Sequence, residues 1–157
     1  MSELDVRIVE LPPLRVASFH GFGEGPEDIA WAKLEAWAQP RGYRDDPQHH
    51  RIFGFNNPNP TPGSPAYGYE FWIEIGPEVQ AEGEMRIVDF AGGLYAVARC
   101  SPRPGAFETI GETWQKLVTW REDSRYRSAG HQWLEEHIDV TEPGQVFDLD
   151  LYLPIAE

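Results

Sequence analysis

The sequence predicts an α+β fold built from one strand–helix–strand–strand unit that occurs twice. Three observations carry that expectation. Arg7-Ile8-Val9-Glu10 returns as Arg86-Ile87-Val88-Asp89. The pattern W-x-K-L-x-x-W occurs at Trp31–Trp37 and again at Trp114–Trp120, and tryptophan is rare enough for this to point to duplication. Each of these segments is followed by two strand-like runs, the later one in each half alternating like a half-buried strand.

The elements follow in chain order. After each Arg-Ile-Val copy comes an apolar run that reads as a strand, Leu14–Phe19 first and Leu94–Ala98 second. Trp31, Leu34 and Trp37 lie at i, i+3 and i+6, which puts them on one stripe of a helix; Ile110, Trp114, Leu117 and Trp120 form the second stripe. Gly25-Pro26-Glu27-Asp28 starts the first helix, because proline suits its first position and acids favour its positive end. Pro40 stops it. The second helix is expected to start near Pro104-Gly105-Ala106 and to run to about Trp120. Strands follow at Arg51–Phe55 and Tyr67–Ile75, then at His131–Ile138 and Val146–Leu153. In the second of each pair, Tyr69, Phe71, Ile73 and Ile75, and likewise Phe147, Leu149, Leu151 and Leu153, form the row that belongs in the core. Asn56–Pro65, with prolines at 58, 60, 62 and 65, reads as a stiff connector. The join lies near Gly76–Glu84, which divides a single domain, 1–157, into modules of about 4–76 and 84–155.

Composition narrows the function classes. A chain of 157 residues holds one domain with a sizeable core. A formal charge of −13 repels phosphate backbones, so no direct nucleic-acid partner is expected. With 41% apolar and 13% aromatic residues, the chain is not a disordered polyelectrolyte. Cys100 is the single cysteine, which excludes an internal disulfide; it reads as a small buried hydrophobe. No apolar stretch approaches the roughly 18 residues of a membrane span, and Met1–Asp5 opens no basic-then-apolar leader, so a cytoplasmic protein without a membrane partner is expected. No cofactor or metal is expected either. His49-His50 behind Asp45-Asp46 lack a second spaced ligand set, His20 reads as structural, and Gly21–Gly25 lacks the lysine and spacing of a phosphate loop.

If the helices take the apolar rows, parity sends Glu70, Trp72, Glu74, Asp148, Asp150 and Tyr152 to the other face. In the run Trp133–Ile138, Leu134 and Ile138 are expected on the core side, with Trp133, Glu135 and His137 sharing the opposite one. Flat rings mixed with carboxylates, and almost no basic counter-ions, suit an aromatic or cationic guest. Glu70, Glu74, Asp148 and Asp150 are expected to be merely solvated. Glu135, between Trp133 and His137 on its row, is the acid expected to be partly desolvated.

At these residues the chain resembles the GyrI-like small-molecule-binding domain, also called the AraC-type effector-binding domain. Trp120-Arg121-Glu122-Asp123-Ser124-Arg125-Tyr126 is similar to the family's tryptophan and acid–Ser–x–Tyr turn. Leu134-Glu135 resembles its glutamate-bearing strand, Asp150–Ile155 its closing strand, and Val6–Gly21 its opening strand. The resemblance implies two pseudo-symmetric modules forming a concave antiparallel sheet with helices on one face. It also implies a ligand groove at the module interface, centred on a glutamate that corresponds to Glu135. Two positions depart from the pattern: His137 stands where tyrosine is usual, and Leu134 where phenylalanine is usual.

The function expected is capture of amphipathic, aromatic compounds, cationic ones included, for sensing, sequestration or detoxification. Glu135 is the central residue, and Trp133, His137, Tyr152, Trp72 and Tyr95 are candidate lining residues. Two alternatives stand beside it. One, which the resemblance implies, is a hydrolase of electrophilic cyclopropane-type toxins, with Glu135 as catalytic base and His137 or Tyr95 as acid or hydrogen-bond donor. The other is a protein that inhibits DNA gyrase, for which the charge of −13 is the argument; nothing further in the sequence supports a protein partner.

Overall fold

The computed structural model describes residues 4–59, 61–101, 108–138 and 148–157. It is an α+β structure with antiparallel strands and two α-helices among the described residues. In chain order the elements are β1 (Val6–Leu11), β2 (Leu14–Gly23), α1 (Pro26–Ala38), β3 (Ile52–Asn56), β4 (Tyr67–Glu74), β5 (Arg86–Phe90), β6 (Gly93–Cys100), α2 (Glu108–Glu122), β7 (Arg127–Ser128), β8 (Leu134–Ile138) and β9 (Asp148–Ala156). They fall into two compact units, one spanning Leu14–Phe90 and the other Met1–Pro13 with Ala91–Glu157.

In the Leu14–Phe90 unit the strands run in the order β3-β4-β2-β5, and α1 packs on β2 and β4. The helix forms where the sequence expects it. Gly25 takes the left-handed conformation at the N-cap (φ 66°), Pro26 opens the helix, and Glu27 and Asp28 sit in its first turn. Its stripe of Trp31, Leu34 and Trp37 is buried: Trp31 meets Phe71 edge-on at 5.2 Å, and Trp37 meets Phe19 at 5.7 Å. Burying each such side chain contributes about 1.5–3 kcal/mol. Gly21 lets β2 approach the helix, since a Cβ there would lie 2.5 Å from the Pro26 carbonyl oxygen and 2.9 Å from the Ala30 amide nitrogen. Both are backbone atoms and cannot rotate aside. Gly21→Ala is therefore expected to destabilise the chain by about 1–3 kcal/mol in urea unfolding. An unchanged midpoint would mean that α1 shifts freely on the sheet.

In the other unit the order is β8-β9-β6-β1, with β7 paired to the end of β9. α2 packs on β6 and β9. Leu117 of the helix closes over Leu149, Leu151, Leu153, Ile155, Ala96, Ala98 and Cys100, which places the cysteine in the core as expected. The start of α2 near Pro104 and the residues Val146 and Phe147 lie outside the described residues.

The units differ from the sequence division into 4–76 and 84–155. The two Arg-Ile-Val strands are exchanged: β1 pairs with β6, and β5 pairs with β2. The Pro12-Pro13 link explains the first half of this. A two-residue hairpin turn needs positive φ, which the proline ring forbids, so β1 cannot fold back on β2 through Pro12-Pro13. No helix among the described residues is long and apolar enough to cross a membrane.

Candidate functional site

The register of β8 decides where the candidate glutamate sits. Leu134 lies opposite Tyr152, Glu136 opposite Asp150 and Ile138 opposite Asp148. Glu135 lies opposite Leu151 and His137 opposite Leu149, the leucines that pack beneath α2. The expected parity is therefore inverted: Glu135 and His137 share the α2 side, not the face of Tyr152. Two consecutive carboxylates in Leu134-Glu135-Glu136-His137 make the alternation ambiguous, and pairing to β9 resolves it.

On the α2 side Glu135 is partly buried, and the Trp114 indole Nε1–H donates to its Oε2 at 3.2 Å. Trp133 leans on Trp114 with ring centroids 5.1 Å apart and is 41% exposed. The two indoles, with Gln115, Val118 and Thr119, line a shallow cavity of about 380 Å³. His137 follows on the same row. Desolvation pushes its imidazole down to about 3, so it is neutral at physiological pH. A neutral imidazole has no imidazolium proton to give. The arrangement is thus a carboxylate that accepts from the Trp114 indole, with the Trp133 indole beside it open to solvent, and it offers both ring faces and negative charge to a guest.

Tyr152 and Tyr95 lie on the opposite side of the sheet from Glu135. Tyr152 Oη donates to Glu136 Oε1 at 2.6 Å. Tyr95 Oη donates to the Gln132 carbonyl at 2.6 Å, its ring sits edge-on to Tyr152 at 5.3 Å, and burial pushes its phenol up. These two tyrosines are therefore not brought together with Glu135. Trp72 belongs to the Leu14–Phe90 unit, where its indole N–H donates to Glu70 at 2.7 Å.

The acids expected to be solvated are not. Glu70 and Asp150 are each 4% exposed. Glu70 accepts from Ser18, Asn57 and Trp72, with Arg86 3.7 Å away. Asp150 takes Arg7 at 2.8 Å and Arg99 at 2.5 Å, and Asp148 has Arg99 at 3.6 Å. Glu74 pairs with Arg51. Basic counter-ions do reach this face, from strands far away in sequence. The histidines singled out in the sequence have separate partners: His49 with Asp46, His50 with the Glu74 carbonyl, and His20 with the Asn57 carbonyl. Trp114, which reads in the sequence only as part of a core stripe, is the residue missed at the site. Its helical spacing gave its side of α2 but not its acceptor.

A family model described as the GyrI-like small molecule binding domain matches residues 4–156. No curated protein matches the sequence. Among solved structures, EcmrR in its DNA complex is similar to the whole chain (TM-score 0.68, 12% identity), which spans only 59% of the EcmrR chain; the separate EcmrR C-terminal domain is matched over 98% of both chains (TM-score 0.71, 13% identity). A hydrolase from Listeria innocua is similar over 99% of this chain and 94% of its own (TM-score 0.68, 11% identity). SAV2435, solved with tetraphenylphosphonium, is similar over 98% of this chain and 94% of its own (TM-score 0.55, 11% identity). At these identities the likeness is one of fold.

Proposed function

Because this chain belongs to the GyrI-like small molecule binding domain family, we propose that it captures amphipathic aromatic cations on the α2 side of β8, around Glu135. The observation that carries this reading is the Trp114–Glu135 hydrogen bond beside the half-open ring of Trp133. A carboxylate next to two indoles attracts a cation through charge and ring faces together, and the apolar area adds affinity without charge. The binding of tetraphenylphosphonium by SAV2435 supports this class of guest. The like strand orders β3-β4-β2-β5 and β8-β9-β6-β1 support reading the units as copies of one duplicated module.

Capture is favoured over hydrolysis by what surrounds Glu135. Of the two acids the hydrolase reading names, His137 is neutral on the row of Glu135 and Tyr95 lies on the other side of the sheet.

The test is tryptophan fluorescence titrated with tetraphenylphosphonium and, separately, with neutral triphenylphosphine oxide. Glu135→Gln is expected to weaken the cation about tenfold, or ~1.4 kcal/mol, and to leave the neutral compound unchanged. Equal cation affinity in both proteins overturns the reading. Consumption of a cyclopropane electrophile over many turnovers, lost in Glu135→Gln, would establish the hydrolase instead.

A further inference from the structure

The Leu14–Phe90 unit holds a larger cavity, of about 660 Å³, none of whose lining residues belongs to the site around Glu135. Its apolar lining is Phe19 of β2, Trp37 of α1 and Met85, and these are 5%, 7% and 5% exposed. The indole Nε1–H of Trp37 is buried and has no hydrogen-bond partner among the described residues. Buried donors are rarely left unsatisfied, and an orphan beside a cavity marks the place where a ligand acceptor would be rewarded.

The charges around this cavity are already matched. Lys33 Nζ donates to the His20 carbonyl at 2.9 Å and pairs with Glu84 at 3.1 Å. Arg41 caps the Trp37 carbonyl, lies 4.3 Å from the centroid of the Trp37 ring and pairs with Glu82 at 2.6 Å. Two cations and two carboxylates leave no net charge for a guest to neutralise. Both pairs tie the segment Glu82–Met85 to α1 and its C-terminal turn. They are exposed pairs, which hold weakly, and the segment turns at Gly83 in the left-handed conformation (φ 58°).

We propose that this cavity is a second ligand site, which takes an uncharged aromatic molecule bearing a carbonyl oxygen. The ring of the guest packs on Phe19, Trp37 and Met85. Its carbonyl accepts the Trp37 Nε1–H once the Glu82–Met85 segment parts from the helix. The site is independent of Glu135 and of the cation chemistry proposed there.

Coumarin, a neutral bicyclic lactone, is the probe, and naphthalene is the ring of like size without the carbonyl. The readout is the set of tryptophan indole N–H resonances of the 15N-labelled chain, with Trp37 assigned from Trp37→Phe. Coumarin is expected to shift the Trp37 resonance saturably while leaving those of Trp114 and Trp133 in place. It is also expected to bind about three- to tenfold tighter than naphthalene, the range one neutral hydrogen bond supplies. Trp37→Phe should abolish that preference, and Glu135→Gln should preserve it. A Trp37 resonance that does not move, or a preference for coumarin that survives Trp37→Phe, overturns the proposal. If Trp37→Phe does not fold, the resonance shift in the native chain decides alone, with assignment by backbone connectivity. Failure at Glu135 with success at Trp37, or the reverse, separates the two sites.

Discussion

Leu117→Ala is expected to lower the unfolding free energy by about 2–5 kcal/mol, and to do so from the upper half of that range. Leu117 is fully buried, and its neighbours are Ala96, Ala98, Cys100 and the leucine row of β9. The cost of such a truncation depends on how far the surroundings collapse into the space left behind. Alanines have no side-chain freedom with which to fill it, and the leucines of β9 are fixed by pairing on both sides, to β6 and β8. Urea unfolding followed by far-UV circular dichroism measures the effect. The substitution should also reach the candidate site, because Leu117 lies one turn from Trp114 and anchors the helix that brings Trp114 to Glu135. Tetraphenylphosphonium affinity should therefore fall in Leu117→Ala and largely survive in Leu117→Met, which keeps the volume. A loss below about 1 kcal/mol would mean that α2 is not seated on this core.

The same core shows which parts of the molecule were legible in the sequence. Helical stripes and apolar strand rows depend on local periodicity, so Trp31, Leu34 and Trp37 and the row Leu149, Leu151 and Leu153 were readable without a structure. The face of β8 was not. A shift of one residue moves every side chain to the other side, and the two adjacent glutamates give the pattern no direction until β9 sets the register. The buried acids were illegible for a different reason. Asp150 is neutralised by Arg7, 143 residues away, and by Arg99, 51 residues away, so no window of sequence shows that the charge is paired. The exchange of β1 and β5 was marked locally by Pro12-Pro13, but only as a prohibition: the prolines bar a hairpin without naming the strand that β1 joins instead.

Acid is expected to unfold this chain partly through His137. An unperturbed imidazole titrates near 6.5, as this one will in the unfolded chain, whereas desolvation in the folded state holds it at about 3. Between those values the unfolded state binds the proton and the folded state does not. The stabilisation is therefore fully present above pH 6.5 and is lost as the pH falls toward 3, at a rate approaching about 1.4 kcal/mol per pH unit. Carboxylates add their own acid sensitivity, so the informative quantity is the difference between the native chain and His137→Gln, measured by urea unfolding at pH 7.5, 6, 5 and 4.5. That difference should shift against the native chain with each step below pH 6.5, because glutamine takes up no proton. A difference that stays constant across the series would show that water reaches the ring. The same value bears on the proposed site. A ring held at about 3 takes up no proton while the chain is folded, so His137→Gln should leave the pH dependence of tetraphenylphosphonium affinity unchanged from pH 7.5 to 4.5. A pH dependence that differs between the two proteins would show that the imidazole titrates in the folded state.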